Sequence, residues 1–164
     1  MDTYAKILAD KIRSATGSEK PLEGMRIVVD AGNGAGGFYA DKVLKPLGAN
    51  TEGSRYLDPD GSFPNHIPNP ENKVAMQSIC DAVPQSGADL GVIFDTDCDR
   101  AACVDKNAQE INRNKLVDLY GDGKDDISNN LFYAENFSIN IPAVYINSFC
   151  FCLIINKITF NGNC

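Results

Sequence analysis

The sequence has no concentration of positive charge. Its net charge is −7 over 164 residues, and lysine and arginine nowhere form a cluster. Proteins that bind a nucleic-acid backbone neutralise its phosphates with such residues. We therefore expect no nucleic-acid partner.

Export and membrane signals are also missing. The first residues are followed by a polar, amphipathic stretch rather than a signal peptide, and the longest apolar piece, Ile141 to Ile155, is short for a bilayer span. The six cysteines show no spacing typical of a disulfide framework. We expect reduced thiols and an intracellular protein, in the cytoplasm or a plastid, without a membrane anchor.

The chain divides into three parts. Residues 1–22 contain a helix over 2–16, capped by Asp2 or Thr3, with an apolar stripe and Gly17 at its end. This helix is either a linker or the first helix of a domain. Residues 23–120 form the domain. Residues 121–164 change in composition and lack periodicity, which predicts an irregular, poorly ordered C-terminal tail.

The domain alternates strands and helices, which predicts an α/β fold. Strands are expected over 25–30, 90–94 and 101–104. One helix is expected over 38–47, a second from the cap at Asn69 to a stop formed by Pro84 with Gly87, and a third from Asn112 or Asn114.

A glycine-rich turn follows the first strand. Gly32, Gly34 and Gly37 fit the pattern G-x-G-x-x-G, and Glu52 lies about twenty residues on, where a dinucleotide-binding domain places a ribose-binding acid. The alternative is a tight strand-to-helix turn that needs positive φ and close packing. Asp30 favours the second interpretation, since it brings an anion to the position of a pyrophosphate.

His66 is the single histidine, and it lies in a proline-rich loop over 58–70. A lone histidine in a loop is more often a hydrogen-bonding or solvent-facing residue than a catalyst.

The chemical centre of the chain is an acidic loop. A short apolar strand ends at Phe94, and Asp95, Asp97 and Asp99 follow at two-residue spacing. In an extended segment such residues point the same way, so their carboxylates converge. Three anions this close repel one another unless a cation lies among them, and oxygen ligands favour a hard ion such as Mg²⁺.

Aspartates at this spacing also occur in other kinds of site. An EF-hand needs glycine at the sixth loop position and glutamate at the twelfth, where this chain has Arg100 and Lys106. A D-x-D phosphatase uses the first aspartate, Asp95, as nucleophile and Asp97 as acid and base. A solvated acidic turn between two strands is the structural alternative.

Three segments, in order, carry a resemblance to a known family. Asp95-Thr96-Asp97-Cys98-Asp99-Arg100 resembles the metal-binding loop of the α-D-phosphohexomutases, the phosphoglucomutase/phosphomannomutase group. Residues 28–36 resemble the opening strand and turn of that family's second domain, and residues 59–71 its proline-rich loop in the plant and bacterial form. The resemblance implies a three-layer α/β/α domain with a mixed, mostly parallel sheet.

The resemblance also implies a function. Such enzymes move a phosphoryl group between a phosphoserine and a hexose phosphate, with Mg²⁺ offsetting the charge. Asp95, Asp97 and Asp99 would be the metal ligands, and Arg100 would contact a phosphate.

Two family motifs cannot exist in this chain, because Ser-His and Ser-Gly-His both need a histidine and His66 follows Asn65. We therefore expect the second domain alone, without mutase activity, with the missing mutase domains as its expected pairing partners. The alternative is a non-catalytic fragment that binds a protein partner.

Overall fold

The computed structural model of the chain describes residues 1–111. The helix predicted from Asn112 or Asn114 and the tail predicted over 121–164 lie outside the described residues.

Three strands form a mixed sheet. They are β1 (Ile27–Asp30), β2 (Leu90–Phe94) and β3 (Ala101–Asp105), with β2 in the centre. β1 runs parallel to β2, and β3 runs antiparallel to it. Two further parallel bridges join Arg26 to Asn50 and Asp30 to Arg55. The predicted α/β fold with a mixed sheet is confirmed.

The sheet is covered on both faces, so every residue of β1 and β2 is buried. Alternate residues point to opposite faces. Val29 and Val92 belong to the hydrophobic cluster beneath the N-terminal helix, whereas Val28 and Ile93 belong to the cluster beneath the second helix. The domain therefore has three layers, helix on sheet on helix.

The first helix, α1, runs over Asp2–Thr16 as predicted and ends at Gly17. The predicted caps are wrong, because Met1 is the N-cap residue and no side chain caps the helix. Leu8 and Ile12 are buried in the same cluster as β1. α1 thus packs onto the domain, while the boundary predicted at residue 22 stays a prediction.

Residues 35–47 form an irregular helical segment instead of one regular helix. Two 3₁₀ turns, Ala35–Gly37 and Lys45–Leu47, flank a π-helical turn, Ala40–Leu44. Pro46 has no N–H to donate to the preceding turn, so an α-helical hydrogen-bond pattern cannot run through it.

The second helix, α2 (Lys73–Ser86), starts later than predicted. Its cap is Asn72, whose side chain accepts hydrogen bonds from the N–H groups of Val74 and Ala75, and not Asn69. The predicted stop at Gly87 is confirmed, because Gly87 is the C-cap residue, and Pro84 lies inside the last turn.

Among the described residues, no helix combines the length and the apolar character needed to cross a membrane. In this part of the chain, Cys80 and Cys98 are free thiols.

Candidate metal centre

The acidic loop connects the carboxyl end of β2 to β3. Carboxylate oxygens of Asp95, Asp97 and Asp99 all lie within 4.8 Å of one another. The structure thus brings together the three predicted ligands. It does so through a series of bends rather than an extended segment, and Cys98 at the tip adopts a positive φ of 69°. The two-residue spacing thus predicted that the carboxylates converge, although the backbone that brings them together is bent and not extended.

Asp95 anchors the loop. It is buried, and Arg100 donates to both of its oxygens, from the backbone N–H to Oδ1 and from Nε to Oδ2, each at 3.0 Å. The N–H of Asp95 in turn donates to the carbonyl of Arg100 at 3.0 Å. These three bonds close the loop at its base, so Asp95 has a fixed position under the two exposed aspartates.

Arg100 is the hydrogen-bond partner of Asp95 and also the residue predicted to contact a phosphate. Its Nε lies 3.6 Å from Asp99 as well as 3.0 Å from Asp95, and 56% of its side chain is exposed. The charge of Asp95 raises the pKa of the guanidinium. The group predicted to contact a phosphate is therefore held at the loop and open to solvent.

Repulsion among the aspartates acts on Asp99. The hydrogen bond with Asp95, together with the charges of Asp95 and Asp97, raises the pKa of Asp99 above its ordinary value. A carboxylate crowded in this way gains from a nearby cation. Arg100 offsets only part of the repulsion on Asp99, so a positive ion bound at the loop would reduce that repulsion further.

Cys98 contributes no ligand. Burial, and then the charges of the three aspartates, raise the pKa of its thiol to about 12, so the thiol stays protonated at neutral pH. Metal binding by cysteine needs the thiolate. The donors that converge are carboxylate oxygens alone, which fit a hard divalent cation such as Mg²⁺ better than Zn²⁺.

The phosphatase hypothesis receives no support from this geometry. It needs Asp95 as a nucleophile, but the carboxylate is 1% exposed and both oxygens accept hydrogen bonds from Arg100. A nucleophile must reach the reacting atom of a substrate.

The glycine-rich turn supports the acidic loop from the side. The N–H of Ala35 donates to the carbonyl of Thr96 at 2.9 Å. A Cβ at Gly34 would lie 2.8 Å from that same carbonyl oxygen, so the close approach requires glycine. These contacts with Thr96 support the interpretation of the glycines as a tight, closely packed turn.

A buried polar cluster of Asp30, His66 and Ser78 lies near the acidic loop, and the sequence did not predict that these residues meet. His66 is buried, not solvent-facing, and its Nε2 lies 3.0 Å from Asp30 Oδ1. Ser78 donates to the other oxygen of Asp30 at 2.6 Å. The available signal was Asp30 itself, because a carboxylate at the end of a buried strand needs donors.

Fold and site together define a class of protein: a three-layer α/β domain with an oxygen-only acidic loop and an arginine at the end of its central strand. A family model described as phosphoglucomutase/phosphomannomutase, alpha/beta/alpha domain II, matches residues 2–109. The chain belongs to the phosphoglucomutase/phosphomannomutase family.

Individual relatives agree with this assignment. A phosphoglucomutase of Neisseria meningitidis is 35% identical over 118 residues, which are 72% of this chain and 25% of the relative. A phosphomannomutase/phosphoglucomutase of Pseudomonas aeruginosa is 35% identical over 127 residues, covering 77% and 25%.

A solved structure gives the same result. The crystal structure of a phosphoglucomutase/phosphomannomutase family protein from Burkholderia thailandensis matches with 32% identity and a TM-score of 0.59. The match covers 70% of this chain and 25% of that one. The chain thus spans about a quarter of the length of the relatives it matches.

Proposed function

We propose that this chain supplies the Mg²⁺-binding loop of a phosphohexomutase, with Asp95, Asp97 and Asp99 as ligands. The observation that carries the proposal is the convergence of three carboxylates within 4.8 Å, in a chain of this family. The reaction class is intramolecular phosphoryl transfer on a hexose phosphate, since the relatives are named for phosphoglucomutase and phosphomannomutase activity.

The residues have distinct parts in this scheme. Asp95, fixed by Arg100, sets the base of the site, while Asp97 and Asp99 are exposed and able to turn an oxygen towards an ion. Mg²⁺, when bound, would offset negative charge as the phosphoryl group moves. The guanidinium of Arg100 would donate to a phosphate oxygen on the solvent side.

By itself, the 164-residue chain would not complete the reaction. It corresponds to a quarter of the relatives' length, and the ring of its single histidine is already bonded to Asp30. Activity would therefore need the other domains of a mutase, to which this domain would pair. Cytoplasm and plastid remain the proposed compartments.

The proposal is tested by titrating the ¹⁵N-labelled chain with MgCl₂ and following the backbone amides of residues 95–100. We expect weak, saturable shifts, because in the proposed site a phosphate oxygen completes the coordination. Asp97→Asn should abolish them, whereas Asp41→Asn, at an exposed carboxylate paired with Lys45, should not. Tight binding that survives replacement of all three aspartates would remove the metal assignment.

A further inference from the structure

Asp30 is a buried carboxylate with three donors around it. It closes β1 and has no exposed surface. Its Oδ1 accepts from the N–H of Gly32 at 2.9 Å and faces His66 Nε2 at 3.0 Å, and its Oδ2 accepts from Ser78 at 2.6 Å. Hydrogen bonds from several donors favour the ionised form of a carboxyl group. Both oxygens of this buried carboxyl group thus face donors.

His66 faces an acceptor on each side. Its Nδ1 lies 3.1 Å from the carbonyl of Ile67, and its Nε2 faces Asp30. A carbonyl has no hydrogen to give, so Nδ1 must carry one. A neutral ring would then direct the lone pair of Nε2 at the carboxylate, whereas an imidazolium donates to both partners. An imidazolium would therefore satisfy both acceptors.

The contact between His66 and Asp30 fixes the proline-rich loop against the glycine-rich turn. Pro68 Cβ and His66 Cε1 lie 2.8 and 2.9 Å from the point that a Cβ at Gly32 would occupy. The space left by the missing side chain is thus filled by the loop that His66 holds. Asp30 bonds the turn directly as well, through the N–H of Gly32.

Both segments reach the acidic loop at one residue, Thr96, between the first two proposed ligands. The turn holds the Thr96 carbonyl through the N–H of Ala35 at 2.9 Å. On the other side the Thr96 hydroxyl donates to the Pro68 carbonyl at 3.5 Å, the long limit of a hydrogen bond. Thr96 is therefore held between the glycine-rich turn and the proline-rich loop, the two segments that the His66–Asp30 contact joins.

We infer that Asp30 and a protonated His66 are positioning residues for the metal loop: their buried ion pair keeps Asp95, Asp97 and Asp99 converged. The metal-binding part of this inference rests on the proposed function. The ion pair touches no proposed ligand and acts through Thr96. Outer partners that orient metal ligands commonly change affinity by about 10–100-fold when they are removed.

The charge state is tested on the unmodified chain. Because it has one histidine, selective ¹⁵N labelling of histidine gives the signals of a single imidazole. We expect both ring nitrogens to show the chemical shifts of protonated nitrogen at neutral pH. A spectrum with one unprotonated ring nitrogen would overturn the ion pair.

Positioning is tested with His66→Gln and Asp30→Asn. In the MgCl₂ titration each should weaken binding by about tenfold, the lower end of the range above. The matched control is Asp89→Asn, since Asp89 accepts from the N–H of Arg26 next to the opposite end of β2. An unchanged dissociation constant in both variants would contradict the inference.

A second measurement needs no metal. Hydrogen exchange at the amides of Ala35 and Arg100 reports directly on the bonds that hold the loop. Both amides should lose protection in His66→Gln and keep it in Asp89→Asn. If His66→Gln does not fold, Ser78→Ala removes only one donor to Asp30 and serves instead. Unchanged protection would overturn the positioning role, whereas absent Mg²⁺ binding in the unmodified chain would count only against the proposed function.

Discussion

At the scale of single residues, the acidic loop brings like charges together, and their repulsion lowers the stability of the folded chain. The pKa of Asp99 is raised by its hydrogen bond with Asp95 and by the charges of Asp95 and Asp97. A carboxyl group with a raised folded-state pKa holds its proton more strongly in the folded chain. Its contribution to stability therefore falls as the pH rises through its ordinary value towards the raised one.

This sign leads to a prediction for Asp99→Asn. Without metal, the variant should melt at a higher temperature than the unmodified chain at neutral pH, and the difference should disappear in acid, where Asp99 is protonated anyway. Added MgCl₂ should stabilise the unmodified chain more than the variant. Thermal unfolding followed by circular dichroism measures all three effects.

Asp60→Asn is a control of opposite sign. Hydrogen bonds from the backbone N–H and then the hydroxyl of Ser62 lower the pKa of Asp60, so its contribution is present above its ordinary pKa and is lost as the pH falls. Asp60→Asn should therefore lower the melting temperature at neutral pH. A lower melting temperature for Asp99→Asn as well would contradict the repulsion described in the loop.

The same residues show what sequence reasoning could reach in the site. Alternating aspartates after a buried strand predicted the carboxylate cluster, because repulsion and ligand chemistry depend on residue type. The link between Asp30 and His66 could not be predicted, since thirty-six positions separate them and only the folded proline-rich loop brings them together.

At the scale of elements, β2 was predicted to its last residue because a run buried on both faces is apolar throughout. The ends of helices were harder to place. Asn69 and Asn72 are both reasonable caps by residue type, and the chain uses Asn69 in a turn to Glu71 instead. The segment over 35–47 has helical composition, yet Pro46 prevents a regular helix there.

The cap of α2 gives a prediction that separates these two asparagines. Asn72→Ala should lower the free energy of unfolding by about 1 kcal/mol, because the N–H groups of Val74 and Ala75 lose their acceptor. Urea unfolding followed by circular dichroism measures the change. Gln77→Ala, on the exposed face of α2, is the control and should change stability far less. An equal loss in both variants would contradict the capping role of Asn72.

At the scale of the whole molecule, the described residues combine a buried core with a proposed metal site at the surface. Two hydrophobic clusters cover both faces of the sheet, so residues 1–111 contain their own core. The acidic loop, in contrast, lies at the exposed edge of that domain, with Asp97 and Asp99 open to solvent. A site built in this way suits chemistry shared with groups from other parts of a larger enzyme.

The last prediction concerns the activity of the 164-residue chain. With glucose 1-phosphate and a trace of the bisphosphate, we expect no glucose 6-phosphate above the blank in a dehydrogenase-coupled assay, because the chain spans only about a quarter of the length of the relatives it matches. A full-length phosphoglucomutase in the same buffer is the positive control. Conversion that disappears in Asp97→Asn would show that the chain alone suffices. Hydrolysis of an aryl phosphate that Asp95→Asn abolishes would instead favour the phosphatase hypothesis, and co-purification with a full-length mutase would favour a partner-binding fragment.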